Sequence, residues 1–205
     1  MTQASHPSPR RPRSQRSFDA VLTTAAQLLA ERGLAALTMD EVARRAVVSK
    51  ATIYRWWPSK GALALEVLLR ADTPDTAPPD TGDVHTDLAT HLRLVLARFR
   101  DSDDGRAIAD LTAEAQRDPS VSAALRDRWL ATRRAAGKQR LRTAQRAGQL
   151  RDDIDLDALL DTLYGPIYFR LLSGHAPLTD ELADQLTDIA LTGATPREHK
   201  RSRPQ

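Results

Sequence analysis

The sequence predicts an all-α protein of about nine helices, with a small N-terminal unit of short helices followed by a longer helical body. Three observations predict it. Apolar residues recur at three- and four-residue spacings along nearly the whole chain, no stretch alternates as a strand does, and aromatic residues are scarce while Ala, Leu and Arg abound.

The elements follow in order. Residues 1–16 hold three prolines and four arginines (Arg10, Arg11, Arg13, Arg16) and read as a flexible basic arm. Ser17 is the expected N-cap of a first helix over 17–32, which buries Phe18, Val21, Leu22, Ala25, Leu28 and Leu29 and ends at Gly33. Three short helical units follow at 38–46, 50–57 and 59–71, the last introduced by Pro58 and Ser59. Residues 72–82, with Pro74, Pro78 and Pro79, cannot continue a helix and form the expected connection to the body. Five further helices are expected near 83–101, 106–118, 120–147, 155–173 and 179–191. Pro119 and Gly148 punctuate the third, Thr179 opens the last, and Pro166 is expected to kink the fourth. The domain division expected is therefore an arm (1–16), a head of short helices (17–71), a helical body (83–193) and a disordered basic tail (194–205).

Composition narrows the function classes. There is no cysteine, which excludes disulfides, zinc-thiolate centres and thiol catalysis. The first residues lack the apolar stretch of a signal peptide, and no segment approaches the roughly 20 apolar residues of a membrane span. A cytoplasmic protein with no membrane partner is expected. The net charge of +3 is unevenly distributed: residues 1–70 carry 11 Lys and Arg against 5 Asp and Glu, the remainder 19 against 22. A basic front on an acidic body suits a polyanion-binding head, although four of those positive charges sit in the arm and could be a solvated tail or reach an adjacent minor groove.

The informative stretch runs from Leu37 to Lys60. Val42, Ala43 and Ala46 supply one inner face, Ile53 and Trp57 another, Val48 fills the junction, and Ser49 caps the second helix. This is helix-turn-helix construction, whose second helix enters the DNA major groove. The stretch resembles the DNA-binding signature of TetR-family regulators at Thr38, Val42-Ala43, Ala46-Val47-Val48-Ser49, Ile53-Tyr54, Trp57 and Lys60. Val47 departs from that pattern, because the family usually has Gly in a turn position that favours positive φ. The turn is expected to be either re-formed or strained. Lys50, Ala51, Thr52 and Arg55 are candidates for base contacts. The resemblance implies phosphate contacts for Tyr54, Thr38 and Lys60. Arg44, Arg45 and Trp56 are second-rank candidates, with core packing as the alternative for Tyr54 and Trp56.

The resemblance further implies a homodimer on double-stranded DNA, held through the last two helices, and an inducer pocket among the middle ones. The expected interface residues are Leu156, Leu160, Leu163, Ile167, Leu171, Leu182, Leu186 and Ile189, with an intramolecular core as the alternative reading. The expected pocket residues are Leu92, Val95, Leu96, Phe99, Leu111, Leu125, Trp129, Tyr164 and Tyr168, lining a site for a small, largely apolar effector. A repressor released by that effector is the expected function. An enzyme is not expected: there is no phosphate-cradling glycine loop, no HExxH pair and no nucleophile elbow. His85 and His91 do not share a helix face, and Asp152, Asp153, Asp155 and Asp157 read as capping charges, so no metal and no cofactor are expected. The rival class is an all-helical protein-interaction module without specific DNA binding.

Overall fold

A computed structural model describes residues 13–71 and 77–195. Its helices are α1 (Arg13–Ala36), α2 (Met39–Ala46), α3 (Lys50–Trp56), α4 (Lys60–Ala71), α5 (Val84–Asp101), α6 (Asp104–Ala115), α7 (Pro119–Ala124), α8 (Ala131–Arg146), α9 (Leu156–Ser173) and α10 (Asp180–Ala194). A π-helical turn, Leu125–Leu130, joins α7 to α8, so those two run as one long rod. All secondary structure among the described residues is helical.

Side-chain caps start most of these helices. Thr38 accepts the Glu41 amide, Asp83 the His85 amide, Asp118 those of Ser120 and Val121 ahead of Pro119, and Asp155 those of Asp157 and Ala158. At α1 the expectation fails: the helix already runs from Arg13, so Ser17 lies inside it and Arg13 and Arg16 belong to helix rather than arm. Residues 14–16 are polar but not helix-breaking, and Gln15 donates to Asp19 one turn on (3.1 Å), which supports an extra turn. The remainder of the expected arm, residues 1–12, and residues 196–205 of the expected tail lie outside the described residues.

Helix α1 packs along α4 and α2, and α2 on α3, while α5 packs on α10, α8 on α9, and α9 on α10. Helix α6 sits between the two groups, touching α1 and α4 on one side and α5 and α9 on the other. At this joint Gly33 adopts φ 73°, and Asp110 of α6 accepts the Leu34 amide (3.0 Å) just after it. Arg106 of α6 donates to the carbonyls of Leu29 (3.2 Å) and Ala30 (2.7 Å). The unsatisfied carbonyl end of α1 is thus closed by side chains of α6. Gly61 of α4 makes the second close approach, since a Cβ there would lie 2.6 Å from Val121 of α7.

The connection to the body is pinned at a buried ion pair. Arg140 of α8 meets Asp87 of α5 (2.6 Å), and Asp87 also accepts the amide and hydroxyl of Thr81. Burial pushes the Asp87 carboxyl up, but Thr81 and Arg140 outweigh it and hold it below the usual carboxylate range.

Candidate nucleic-acid interface and ligand cavity

Helices α2 and α3 meet through Val42, Ala43 and Ile53, with Trp57 closing the end of α3, and all four side chains are buried. Between the helices Val47 adopts φ 55° and ψ 47°, and both its amide and that of Val48 (3.1 Å) donate to the Ala43 carbonyl. This is the left-handed C-cap that a glycine would serve. The turn keeps its geometry, and the β-branched residue carries strain of about 1–2 kcal/mol. Its side chain is 89% exposed and meets no packing constraint that would add to that strain.

Ser49 caps α3 by accepting the Thr52 amide (3.2 Å). Lys50 lies against Asp40 (2.5 Å), which brings the N-terminal ends of α2 and α3 to one surface. The outward side of α3 presents Lys50, Ala51, Tyr54 and Arg55, with Tyr54 51% exposed.

Several candidates are more committed than the sequence suggested. Trp56 is half-buried in an aromatic cluster with Phe18 (5.3 Å between centroids) and Trp57 (5.6 Å), so its ring packs. The Thr52 and Ser49 hydroxyls share a hydrogen bond (2.8 Å). Arg44 and Arg45 both pair with Glu41, and hydrogen bonds from the two guanidiniums pull its carboxyl down to about 2. Lys60 folds back to donate to the Leu34 carbonyl (3.1 Å), closing the end of α1 instead of pointing to solvent. Thr38 spends an acceptor lone pair on its cap and keeps its hydroxyl proton to donate.

In the body a cavity of about 780 Å³ opens between α5, α6, the π turn, α8 and α9. Val95, Phe99, Leu125, Trp129, Tyr164 and Tyr168 line it as expected. Leu92, Leu96 and Leu111 do not; they are fully buried in the core. The reason lies in the helix faces. On α5 the most apolar face, through Leu88, Leu92 and Leu96, goes to the close-packed core, whereas the adjacent face of His91, Val95 and Arg98 meets the cavity. The π turn contributes Leu125, Arg126, Trp129 and Leu130 to the wall, a common place for such a turn to fall.

The polar groups of this wall converge. Trp129 Nε1 donates to the Tyr168 hydroxyl (3.3 Å), and the Arg133 guanidinium lies 3.2 Å over the Trp129 ring while donating to the Trp129 carbonyl (2.9 Å). His91 is 4% exposed, edge-on to Tyr164 at 6.0 Å, and its Nδ1 has no hydrogen-bond partner. Burial, with the nearby Arg133 charge, lowers its pKa to about 4. Burial raises the Tyr164 and Tyr168 phenols. The sequence carries no functional expectation for His91, which shares no helix face with His85. His85 instead faces Asp188 (2.7 Å), and among the described residues no cluster of three His, Asp or Glu could hold a metal.

Residues 21–67 match the family model described as bacterial regulatory proteins, tetR family, and residues 78–190 match that of the tetracyclin repressor-like C-terminal domain. The chain belongs to the TetR family. Curated relatives include the HTH-type regulator YdeS of Bacillus subtilis, 37% identical with 89% of this chain and 92% of the relative covered. The DNA-binding transcriptional repressor TetR of Mycobacteroides abscessus is 30% identical over 84% and 90%. Among solved structures, the TetR-family regulator SCO0332 is 41% identical with a TM-score of 0.73, covering 88% of this chain and all of that one. The protein is a DNA-binding transcriptional regulator of the helix-turn-helix type. No helix among its described residues is long and apolar enough to cross a membrane.

The last two helices of this TetR-family chain divide the expected interface residues between core and surface. Leu160, Leu163 and Ile167 of α9 and Leu182 and Leu186 of α10 are buried within the one chain, and Leu156 and Leu171 pack half-buried against the same core. Five of the expected residues are thus enclosed by this chain itself, while Leu156 and Leu171 keep part of their surface open. Only Ile189 faces outward, 67% exposed. The apolar residues that do face outward on α9, Phe169 (64% exposed) and Leu172 (50%), were missed because α9 is apolar on nearly every face.

Proposed function

We propose that this regulator is a ligand-responsive repressor that binds a palindromic operator as a homodimer in the cytoplasm. The observation that carries the proposal is the α2–α3 surface. A capped recognition helix exposes Lys50, Ala51, Tyr54 and Arg55 beside the N-terminal end of α2, where Thr38 retains a donor. In this reading Arg55 and Lys50 reach base edges and Ala51 meets a thymine methyl, while Tyr54 and Thr38 hold phosphates. Ser49 and Thr52 act mainly through the cap, Lys60 through α1, and Arg44 and Arg45 as a Glu41-neutralised rim. Residues 17–71 form the DNA-binding unit and 83–193 the sensing and dimerising one.

A dimer places two heads on half-sites about 34 to 36 Å apart or a related distance. The outward faces of α9 and α10, with Phe169, Ile189 and the exposed Gly193, suit a self-complementary four-helix contact, and Gly165 and Leu172 stand between that face and the cavity they line. The cavity takes a small effector. Helix α6 lines it with Ile108, Thr112 and Ala115 and grips α1 with Arg106 and Asp110, so a ligand that favours one position of α6 alters the setting of the head.

The test is binding of the purified protein to the DNA flanking its own gene, titrated at several salt concentrations with nonspecific competitor. Competitor-resistant binding with a two-fold symmetric footprint is expected. Binding abolished by competitor would reduce the surface to general affinity for polyanions.

A further inference from the structure

We propose that the cavity takes an amphiphilic effector, a planar apolar body carrying one acidic group, with that group seated against His91 and Arg133 of the wall. The inference rests on the cavity being the effector site. Its first support is the imbalance of charge on the wall: Arg98, Arg126, Arg133 and Arg134 line it against Asp161 alone. Asp104, Asp127 and Asp157, which pair with Arg98, Arg126 and Arg134, are not among the residues that line it. Asp161 is itself held by Arg134 (2.5 Å). A ligand therefore meets guanidinium groups far more than carboxylates.

The second support is His91. Its ring is buried on the cavity wall with Nδ1 lacking a partner, and a buried polar atom left unmatched carries a desolvation cost that a ligand atom would recover. Arg133 lies over the Trp129 ring, whose Nε1 donates to Tyr168, and His91 stands edge-on to Tyr164, so both groups border the same aromatic wall. A neutral imidazole presenting Nδ1–H beside a guanidinium is a donor set for a carboxylate or sulfonate. Much of the remaining wall, including Phe99, Trp129, Leu125 and Val95, is aromatic and aliphatic, which suits a flat apolar body. The apolar effector expected from the sequence thus gains an acidic end.

The experiment compares two fluorescent probes of the same shape on the full-length protein, anilinonaphthalene sulfonate and its uncharged parent phenylnaphthylamine. The sulfonate should bind about tenfold or more tightly than the parent, the size of one charge-assisted hydrogen bond. Arg133→Gln and His91→Phe should each remove most of that preference while phenylnaphthylamine binding stays within about twofold, and Arg133→Lys should keep it. Ala115→Trp, which fills the cavity, should abolish both. Unchanged helical circular dichroism checks that each variant folds. Equal affinity for the two probes, or a preference that survives both Arg133→Gln and His91→Phe, would overturn the acidic group while leaving the cavity reading intact. Failure of either probe to bind, or binding undiminished in Ala115→Trp, would overturn the cavity as the site itself.

Discussion

Helices α3 and α9 place their apolar residues by different means. Helix α3 is seven residues long, sends Ile53 inward, and is bounded by Ser49 and the buried Trp57, so its two faces follow from local rules alone. Helix α9 is eighteen residues long and apolar around most of its circumference, with Leu159, Leu160, Leu163 and Ile167 inward and Gly165, Phe169 and Leu172 outward. Where polar residues mark one side, the helix period assigns a face; where they do not, neighbouring helices assign it.

This contrast can be broken by substitution. The largest effect is expected at Leu163→Ala, an inward α9 position, which should lower folding stability by about 2–5 kcal/mol in chemical denaturation. A loss under about 1 kcal/mol would show that Leu163 is not core. At the outward positions the opposite pattern is expected. Phe169→Arg together with Ile189→Arg should leave the monomer folded and weaken self-association by about 100-fold or more, because a two-fold interface sets like charges against each other. Sedimentation across a concentration series reads this directly, and an unchanged dimer would move the interface elsewhere.

The cavity face of α5 supplies a pH test. His91 is held at about 4 in the folded chain against an ordinary 6.5, so between those values the unfolded chain binds a proton that the native chain does not. Stability should therefore fall as pH drops from 6.5 toward 4, by on the order of 3 kcal/mol from this residue. His91→Phe should flatten that part of the curve relative to the parent protein.

On α3 the expected effects are smaller and appear in binding. Arg55→Ala should weaken operator affinity by about 1–3 kcal/mol with specificity relaxed at one base position, whereas a uniform loss across sequences would make Arg55 a phosphate contact. The smallest change is at the turn: Val47→Gly should raise thermal stability by about 1 kcal/mol, since it relieves the left-handed strain of a β-branched side chain. No gain would show that the strain is already relaxed.

Much of the head was legible because its signals are short-range. Ser49 caps α3 where the sequence placed it, and the turn position that asked for a positive φ has one at Val47. The commitments of Lys60 to Leu34 and of Trp56 to Phe18 were not legible, since each joins residues far apart in the chain through α1. The cavity was half legible. Its aromatics stood out against an aliphatic body, but His91, Arg98 and Arg133 look like ordinary surface charges until α9 and the π turn close over them.

The helical class, the punctuation of most helices and the helix-turn-helix were readable from the chain alone, because caps, glycines, prolines and a 3.6-residue period act within a few residues, and the family was readable from the resemblance of residues 37–60 to its signature. Tertiary structure alone decided which leucines of α9 and α10 are core, which face of α5 meets the cavity, and how α6 grips α1. Those outcomes depend on which apolar faces bury the most surface against each other, and burial is a property of pairs of helices that no single helix carries.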